Sequence, residues 1–120
     1  MREITCSTIT DAIKKMCIEA ATILPQDVEK ALSQKHDEED SALAKKTLQV
    51  LMDNAKLAQE KQMPICQDTG MAFVYVTMGQ EVHITGGSLN EAIQEGVRQG
   101  YTEGYLRKSV VGDPIIRENT

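Results

Sequence analysis

The segment PICQDTG, residues 64–70, places a thiol, an amide, a carboxylate and a hydroxyl at consecutive positions. An Asp-Thr-Gly turn accounts for Asp68 and Gly70, because an aspartate side chain can bond its own backbone two residues on and glycine adopts positive φ without strain. Such a turn gives no reason for Cys66 or Gln67. These two residues suggest chemistry beyond that of a turn.

Cys66 is compatible with two chemical roles. A nucleophilic cysteine needs a histidine base and usually a third group to orient it, and neither His36 nor His83 stands in a setting that suggests such a base. A metal ligand on a loop between rigid elements fits better, with Gln67 and Asp68 facing the same cavity. One thiolate cannot hold a cluster, so this second role places the other ligands outside these residues.

Helices are predicted on both sides of this loop. Apolar residues three and four apart predict a first helix over about 9–24, and Pro25 then opens a short second helix. The charged run 36–40 reads as a solvated turn. A third helix is predicted over 41–61, and Pro64 ends it because the residue before a proline avoids helical geometry.

The pattern after the loop predicts a β-hairpin and a fourth helix. Residues 71–78, MAFVYVTM, are apolar on both faces and predict a strand buried on both sides, which a Gly79-Gln80 turn joins to a second strand over 81–85. Ser88 and Glu91 form a capping box at the start of the last helix. Glycines at every fourth position of that helix predict a close approach to another backbone (Gly96, Gly100 and Gly104).

These elements predict a mixed α+β fold, with about four helices packed around a small β-hairpin or sheet. Two strands with so much apolar surface seldom stand alone. We therefore expect further strands from the rest of a longer chain, or pairing with a second copy.

Composition restricts the class of protein. The 120 residues carry a net charge of −5, which argues against a nucleic-acid partner because such a partner requires a basic surface. The polar start lacks the apolar core of a secretory signal, and no apolar run is long enough to cross a membrane, so we expect a cytoplasmic protein. The three cysteines are widely spaced and argue against a disulfide framework.

Two longer segments, NAKLAQEKQMPICQDTGMAFVYVTMGQEVHITGG and EGYLRKSVVGDPIIRENT, give the chain a family resemblance. The sequence resembles the N-terminal part of the iron–sulfur hydro-lyases called class I fumarases, in particular the α subunit of their two-subunit form. The α subunit of L(+)-tartrate dehydratase is similar over the same span. The resemblance covers nearly the whole chain and is weakest in the first 40 residues.

The resemblance implies a [4Fe–4S] cluster with three cysteine ligands, of which Cys66 matches the first, and one iron open to substrate. It implies that Gln67, Asp68 and Arg107 bind a small dicarboxylate such as fumarate or malate, with Asp68 also in a catalytic role. Lys108 and Arg117 are weaker candidates. The implied partners are the remainder of the α subunit and a β subunit, in an oligomeric enzyme.

Length is where the sequence departs from this family pattern. A family α subunit would continue for well over another hundred residues and supply two more ligand cysteines, so residues 1–120 are expected to be the N-terminal portion of a hydro-lyase domain and inactive alone. Cys6 and Cys17 stand outside the ligand motifs. Two alternatives stay open, namely a cluster-free module that binds dicarboxylates and a thiol redox sensor based on Cys66.

Overall fold

The computed structural model describes residues 1–119 and confirms a mixed α+β fold. Four helices and two short strands follow in the order β1 (Arg2–Thr5), α1 (Cys6–Thr22), α2 (Gln26–Glu38), α3 (Ala42–Lys61), β2 (Val82–Thr85) and α4 (Leu89–Glu103). No helix within this described range is both long and apolar enough to cross a membrane.

The ends of α3 lie where the sequence predicts them. Ser41 caps the first turn by accepting a hydrogen bond from the backbone N–H of Ala44 at 3.4 Å, and Gln62 ends the helix in the left-handed conformation with φ 52°. A left-handed residue breaks the helical path and lets the chain turn sharply. The chain therefore reaches Pro64 already turned away from the axis of α3.

The other three helices differ from prediction at their ends. α1 begins at Cys6, three residues earlier than predicted, because Thr5 caps it by accepting from the N–H of Thr8 at 3.3 Å. α2 continues into the charged run as far as Glu38, whose carboxylate bonds side chains one turn earlier. The predicted turn over 36–40 is therefore wrong for residues 36–38, and the break before α3 is confined to residues 39–41. Ser88 does precede α4, but its side chain makes no cap hydrogen bond with the described residues.

The packing of α1 against α4 forms the centre of the structure. A methyl group built at Gly96 would lie 2.7 Å from both the Ile13 Cβ and the backbone oxygen of Thr10, and one at Gly100 would lie 2.8 Å from the Cβ of Cys17. The predicted close approach of the glycine positions to another backbone is confirmed. The threonine at position 10 also donates from Oγ1 to the backbone oxygen of Ala92 at 3.0 Å, which fixes the register of the two helices.

The predicted β-hairpin is wrong. β2 pairs in parallel with β1, with Ile4 opposite Ile84, so the sheet joins the start of the chain to a segment that follows three helices. The sequence prediction missed β1 because MREIT is short and mostly exposed, and only Ile4 is partly covered. A strand that covers so little surface leaves a weak periodic signal.

Residues 71–78 form no strand among the described residues, so the prediction of a strand buried on both faces is also wrong. The side chains are largely in solvent, with Phe73 at 72% and Tyr75 at 93% exposure. A buried strand needs a neighbouring strand for its backbone groups and a packing layer on each face. Residues 1–119 supply neither, which is why the apolar pattern predicts more structure than is present.

Gly96→Ala should lower the free energy of unfolding by about 1–2 kcal/mol. Overpacking costs ~1–3 kcal/mol and the better helix propensity of alanine returns up to ~1 kcal/mol. Denaturant unfolding of the 120-residue chain measures the change. Gly79→Ala is the matched control, since a methyl group there meets no described atom within 4 Å. Equal stability of the two variants would contradict the close contact of α1 with α4.

The exposed apolar segment 71–78 should make the isolated chain self-associate as its concentration rises. Val76→Lys should reduce this association, because a charge in the segment opposes pairing. Light scattering after size exclusion measures the mass over a concentration series. Val50→Lys is the control, since Val50 is similarly exposed, 58% against 52% for Val76, but lies on helix α3. The expectation fails if both variants reduce association equally.

Candidate functional site

The loop of residues 65–70 is attached at its first residue to two helices. The N–H of Ile65 donates to the backbone oxygen of Ala21 near the end of α1, at 2.9 Å. The carbonyl of Ile65 accepts from the side-chain amide of Asn54 on α3, at 2.8 Å. Cys66 therefore follows a residue whose backbone N–H and C=O are both bonded.

Asp68 and Gly70 form the turn predicted from the sequence. The Oδ1 of Asp68 accepts from the N–H of Gly70 at 3.2 Å, and Gly70 has φ +64°, a conformation that glycine adopts without strain. Ser109 Oγ donates to the same Oδ1 at 3.3 Å. Asp68 thus has one oxygen engaged in holding the local structure.

Two further hydrogen bonds join the loop to α4 and to the segment that follows it. Thr69 Oγ1 donates to the backbone oxygen of Arg107 at 2.9 Å, and the Tyr101 hydroxyl donates to the backbone oxygen of Gly70 at 3.3 Å. Burial raises the pKa of Tyr101, and a smaller effect of Cys17 acts in the same direction. The phenol therefore stays protonated, and remains a donor, throughout the neutral pH range.

Cys66 has an exposed thiol, whose contact with the neighbouring Gln67 side-chain oxygen is 3.5 Å long. The other two cysteines lie on α1. Cys6 starts α1 with its sulfur 3.8 Å from the backbone oxygen of Ser88, and Cys17 is partly covered on the face of α1 that meets α4. Burial raises the pKa of the Cys17 thiol, which disfavours the thiolate form.

The donor set tests whether this chain fits an iron–sulfur cluster. Thiolates are the usual ligands of such clusters, and the exposed Cys66 sulfur is free to bind one iron. No three His, Cys, Asp or Glu side chains come together as a metal site within the described residues. The chain therefore fits one ligand position of a cluster, and a complete site requires donors from outside residues 1–119.

Arg107 lies in the short segment that leaves α4. Tyr105 has φ +55°, and the next residue, Leu106, is only 6% exposed and donates its N–H to the backbone oxygen of Tyr101 at 3.0 Å. These features turn the chain and anchor it immediately before Arg107. The structure brings the backbone of this arginine to Thr69, while its side chain is exposed.

A cleft of about 530 Å³ adjoins the loop. Cys66, Asp68 and Thr69 contribute to its lining, whereas Gln67 and Arg107 are not among the described residues that line it. Most of the lining is apolar and comes from α1 and residues 71–75. A dicarboxylate needs cations and hydrogen-bond donors, so this cleft does not by itself form a dicarboxylate pocket. The loop residues stand at its polar edge.

Sequence reasoning missed the residues that hold the loop, namely Asn54, Thr69, Tyr101 and Ser109. Their side chains act through single hydrogen bonds to a distant backbone or carboxylate group, and such bonds leave no periodic signal. Asn119 had no assigned role in the sequence. In the structure its amide donates to the backbone oxygen of Lys108, and a bridge between Val111 and Asn119 closes the same loop.

Comparison with known families gives a match that extends over most of the chain. The family model described as fumarate hydratase (Fumerase) matches residues 10–120. The matched range contains the loop, its contacts from α1, α3 and α4, and Arg107.

Three relatives show the same relationship. A Methanocaldococcus jannaschii protein with the provisional name L(+)-tartrate dehydratase subunit alpha is 38% identical over 92% of this chain and 39% of its own length. A Geobacillus stearothermophilus protein, provisionally named fumarate hydratase class I, is 32% identical over 92% of this chain and 21% of its own. L(+)-tartrate dehydratase subunit alpha of Escherichia coli strain K12 is 27% identical over 86% of this chain and 34% of its own.

The chain thus spans between about one fifth and two fifths of the length of these relatives. The family model nevertheless covers residues 10–120, so the relationship does not depend on one motif. This chain belongs to the fumarate hydratase (Fumerase) family of hydro-lyases.

Proposed function

We propose that residues 1–120 form the N-terminal portion of an α subunit in a [4Fe–4S]-dependent hydro-lyase that hydrates fumarate to malate reversibly. The observation that carries this proposal is the loop of residues 65–70, which holds an exposed cysteine beside an aspartate and is bonded through Thr69 to the backbone of Arg107. The family relationship supports the hydro-lyase class. The remainder of the α subunit and a β subunit complete the enzyme.

Cys66 is the proposed cluster ligand. Its thiol is exposed, and the preceding backbone is bonded to α1 and α3, so the sulfur is presented from a fixed base. When bound, the cluster would supply an iron with a vacant position, a Lewis acid for the hydroxyl and carboxylate oxygens of the substrate. The two other cysteine ligands come from outside this chain, since no three metal-binding side chains come together within residues 1–119.

Gln67, Asp68 and Arg107 are the proposed substrate-binding residues. Gln67 can donate an amide N–H to a carboxylate, and Arg107 can offer two parallel N–H groups to the same kind of anion. Asp68 uses Oδ1 for Gly70 and Ser109, and among residues 1–119 no bond reaches its Oδ2. That second oxygen is available to orient a catalytic group or to share a proton with it.

L(+)-tartrate dehydration is the second candidate reaction. The 38% identical relative carries the tartrate dehydratase name, and both reactions add or remove water at a four-carbon dicarboxylate. The same residues would serve in either case, because both substrates present two carboxylates and, in the hydrated form, at least one hydroxyl. Steady-state assays of the assembled enzyme with fumarate, L-malate and L(+)-tartrate distinguish the two reactions.

Cys66→Ser should lower both the iron content and the hydro-lyase activity of the assembled enzyme. Loss of an outer-shell partner of a metal costs roughly 10–100-fold in affinity or activity, and loss of a direct ligand should cost at least as much. Iron and sulfide per chain, visible absorption and turnover are the measurements. Cys6→Ser is the matched control and should keep the iron content. Full iron content in Cys66→Ser would exclude Cys66 as a ligand.

Arg107→Ala should raise the KM for the dicarboxylate roughly 10–100-fold, because a hydrogen bond to a charged group contributes about 1.5–3 kcal/mol. Arg107→Lys should recover part of the loss, since it keeps the charge but not the planar fork. Initial rates over a substrate series give KM and kcat. Arg98→Ala is the control, because this arginine is bonded to Glu95 on α4. A KM unchanged in Arg107→Ala would remove Arg107 from the site.

A cluster-free binding module predicts a different result. Such a module would bind fumarate, malate or tartrate with no iron present, and Arg107→Ala would weaken the binding. Titration calorimetry on the iron-free 120-residue chain tests this. The absence of heat with all three ligands would eliminate the module and leave the hydro-lyase proposal standing.

A further inference from the structure

Hydroxyl side chains connect the loop of residues 65–70 with the segment 105–109 in both directions. Thr69 donates from the loop to the Arg107 carbonyl at 2.9 Å, and Ser109 donates from the other segment to Asp68 Oδ1 at 3.3 Å. The two bonds involve the adjacent loop residues Asp68 and Thr69 and, on the other segment, Arg107 and Ser109, which are two positions apart. They hold the two segments side by side at Arg107 and just after it.

We propose that Thr69 and Ser109 are positioning residues that fix Arg107 relative to Asp68 and to the cluster ligand Cys66, so that groups from distant parts of the chain form one substrate site. This inference rests on the proposed function and adds to it the residues that assemble the site.

The bonding pattern leaves the functional atoms free. Thr69 uses the backbone oxygen of Arg107, so the guanidinium keeps all of its N–H donors for an anion. Ser109 uses Oδ1 of Asp68 together with the N–H of Gly70, on one oxygen of the carboxylate. A structural contact that consumed the guanidinium or both carboxylate oxygens would have left nothing with which to bind a substrate.

The surrounding backbone makes Thr69 the decisive contact. Leu106 is buried and anchors the chain immediately before Arg107, while the loop is anchored at Ile65 and at Gly70. Thr69 joins the loop of residues 65–70 to the segment 105–109 through a hydrogen bond to the backbone oxygen of Arg107 itself. Because catalysis is sensitive to displacements of about 1 Å, loss of this one hydrogen bond should be measurable in substrate binding.

Thr69→Val in the assembled enzyme tests the proposal, because valine keeps the shape and removes the hydroxyl. The KM for the dicarboxylate should rise roughly three- to tenfold, the size of one neutral hydrogen bond, while kcat and iron per chain change less than about twofold. Thr69→Ser should restore the wild-type KM. Ser109→Ala should raise KM in the same direction and serves as a second variant if Thr69→Val folds poorly.

Thr102→Val is the matched control. Its hydroxyl donates to the backbone oxygen of Arg98 within α4, at 2.8 Å, so the same substitution removes a similar bond away from the loop. This variant should keep the wild-type KM. A KM increase of the same size in Thr102→Val would show that the effect of Thr69→Val is general destabilisation, and would overturn the positioning role.

Hydrogen exchange provides a readout that does not need turnover. Amides in 65–70 and in 105–109 should both exchange faster in Thr69→Val, and both should recover in Thr69→Ser. Unchanged exchange with unchanged KM overturns the proposal, and so does a fall in kcat and iron content at constant KM. If the wild-type enzyme turns over none of the three dicarboxylates, the proposed function fails and the substrate-positioning role falls with it, whereas exchange still decides whether Thr69 couples the segments.

Discussion

The close contact between α1 and α4 sets the positions of the segments that carry the candidate site. Gly96 and Gly100 let the two helices approach until a methyl group would collide with Ile13 or Cys17. At that distance the end of α4 lies near the end of α1, and the loop of residues 65–70 is bonded to both regions through Ile65, Thr69 and Gly70. Larger side chains at the glycine positions would separate the two sides of the candidate site.

The candidate site divides its work between backbone and side chains. Hydrogen bonds from Asn54, Thr69 and Tyr101 end on backbone oxygens of the loop or of Arg107, and these bonds create the shape. The sulfur of Cys66 and the guanidinium of Arg107 take no part in that framework. Different atoms therefore hold the geometry and carry the chemistry. The site can be rigid while the groups that would bind an anion or a metal stay unoccupied.

The sequence predicts local features of this fold well and distant pairings poorly. The end of α3, the Asp68 turn and the close approach at the glycine positions follow from capping, turn chemistry and side-chain size, which act over a few residues. The parallel pairing of β1 with β2 could not be predicted, because β1 is short and its partner lies some 80 positions away. The burial expected for 71–78 failed for a related reason, since it depends on surfaces that residues 1–119 do not contain.

The residues of the candidate site also differ in whether local sequence reveals them. Cys66, Gln67 and Asp68 stood out in the sequence by their chemical types and Arg107 by the family resemblance, and the roles of all four are proposals. The supporting hydroxyls at Thr69 and Ser109 were visible only once the fold brought two distant segments together. In the sequence alone, Thr69 and Ser109 are indistinguishable from ordinary surface residues, because their hydrogen-bond partners lie about 40 positions away.

The parallel pairing of Arg2–Thr5 with Val82–Thr85 has a consequence for how the chain acquires its structure during synthesis. The ribosome releases the amino-terminal strand first, and its partner appears only after three helices have followed. The helices α2 and α3 can therefore form and pair early, whereas the first strand waits unpaired until Val82–Thr85 has been synthesised. Closure of the sheet and docking of α4 on α1 are late events with large sequence separation, the kind that slows folding.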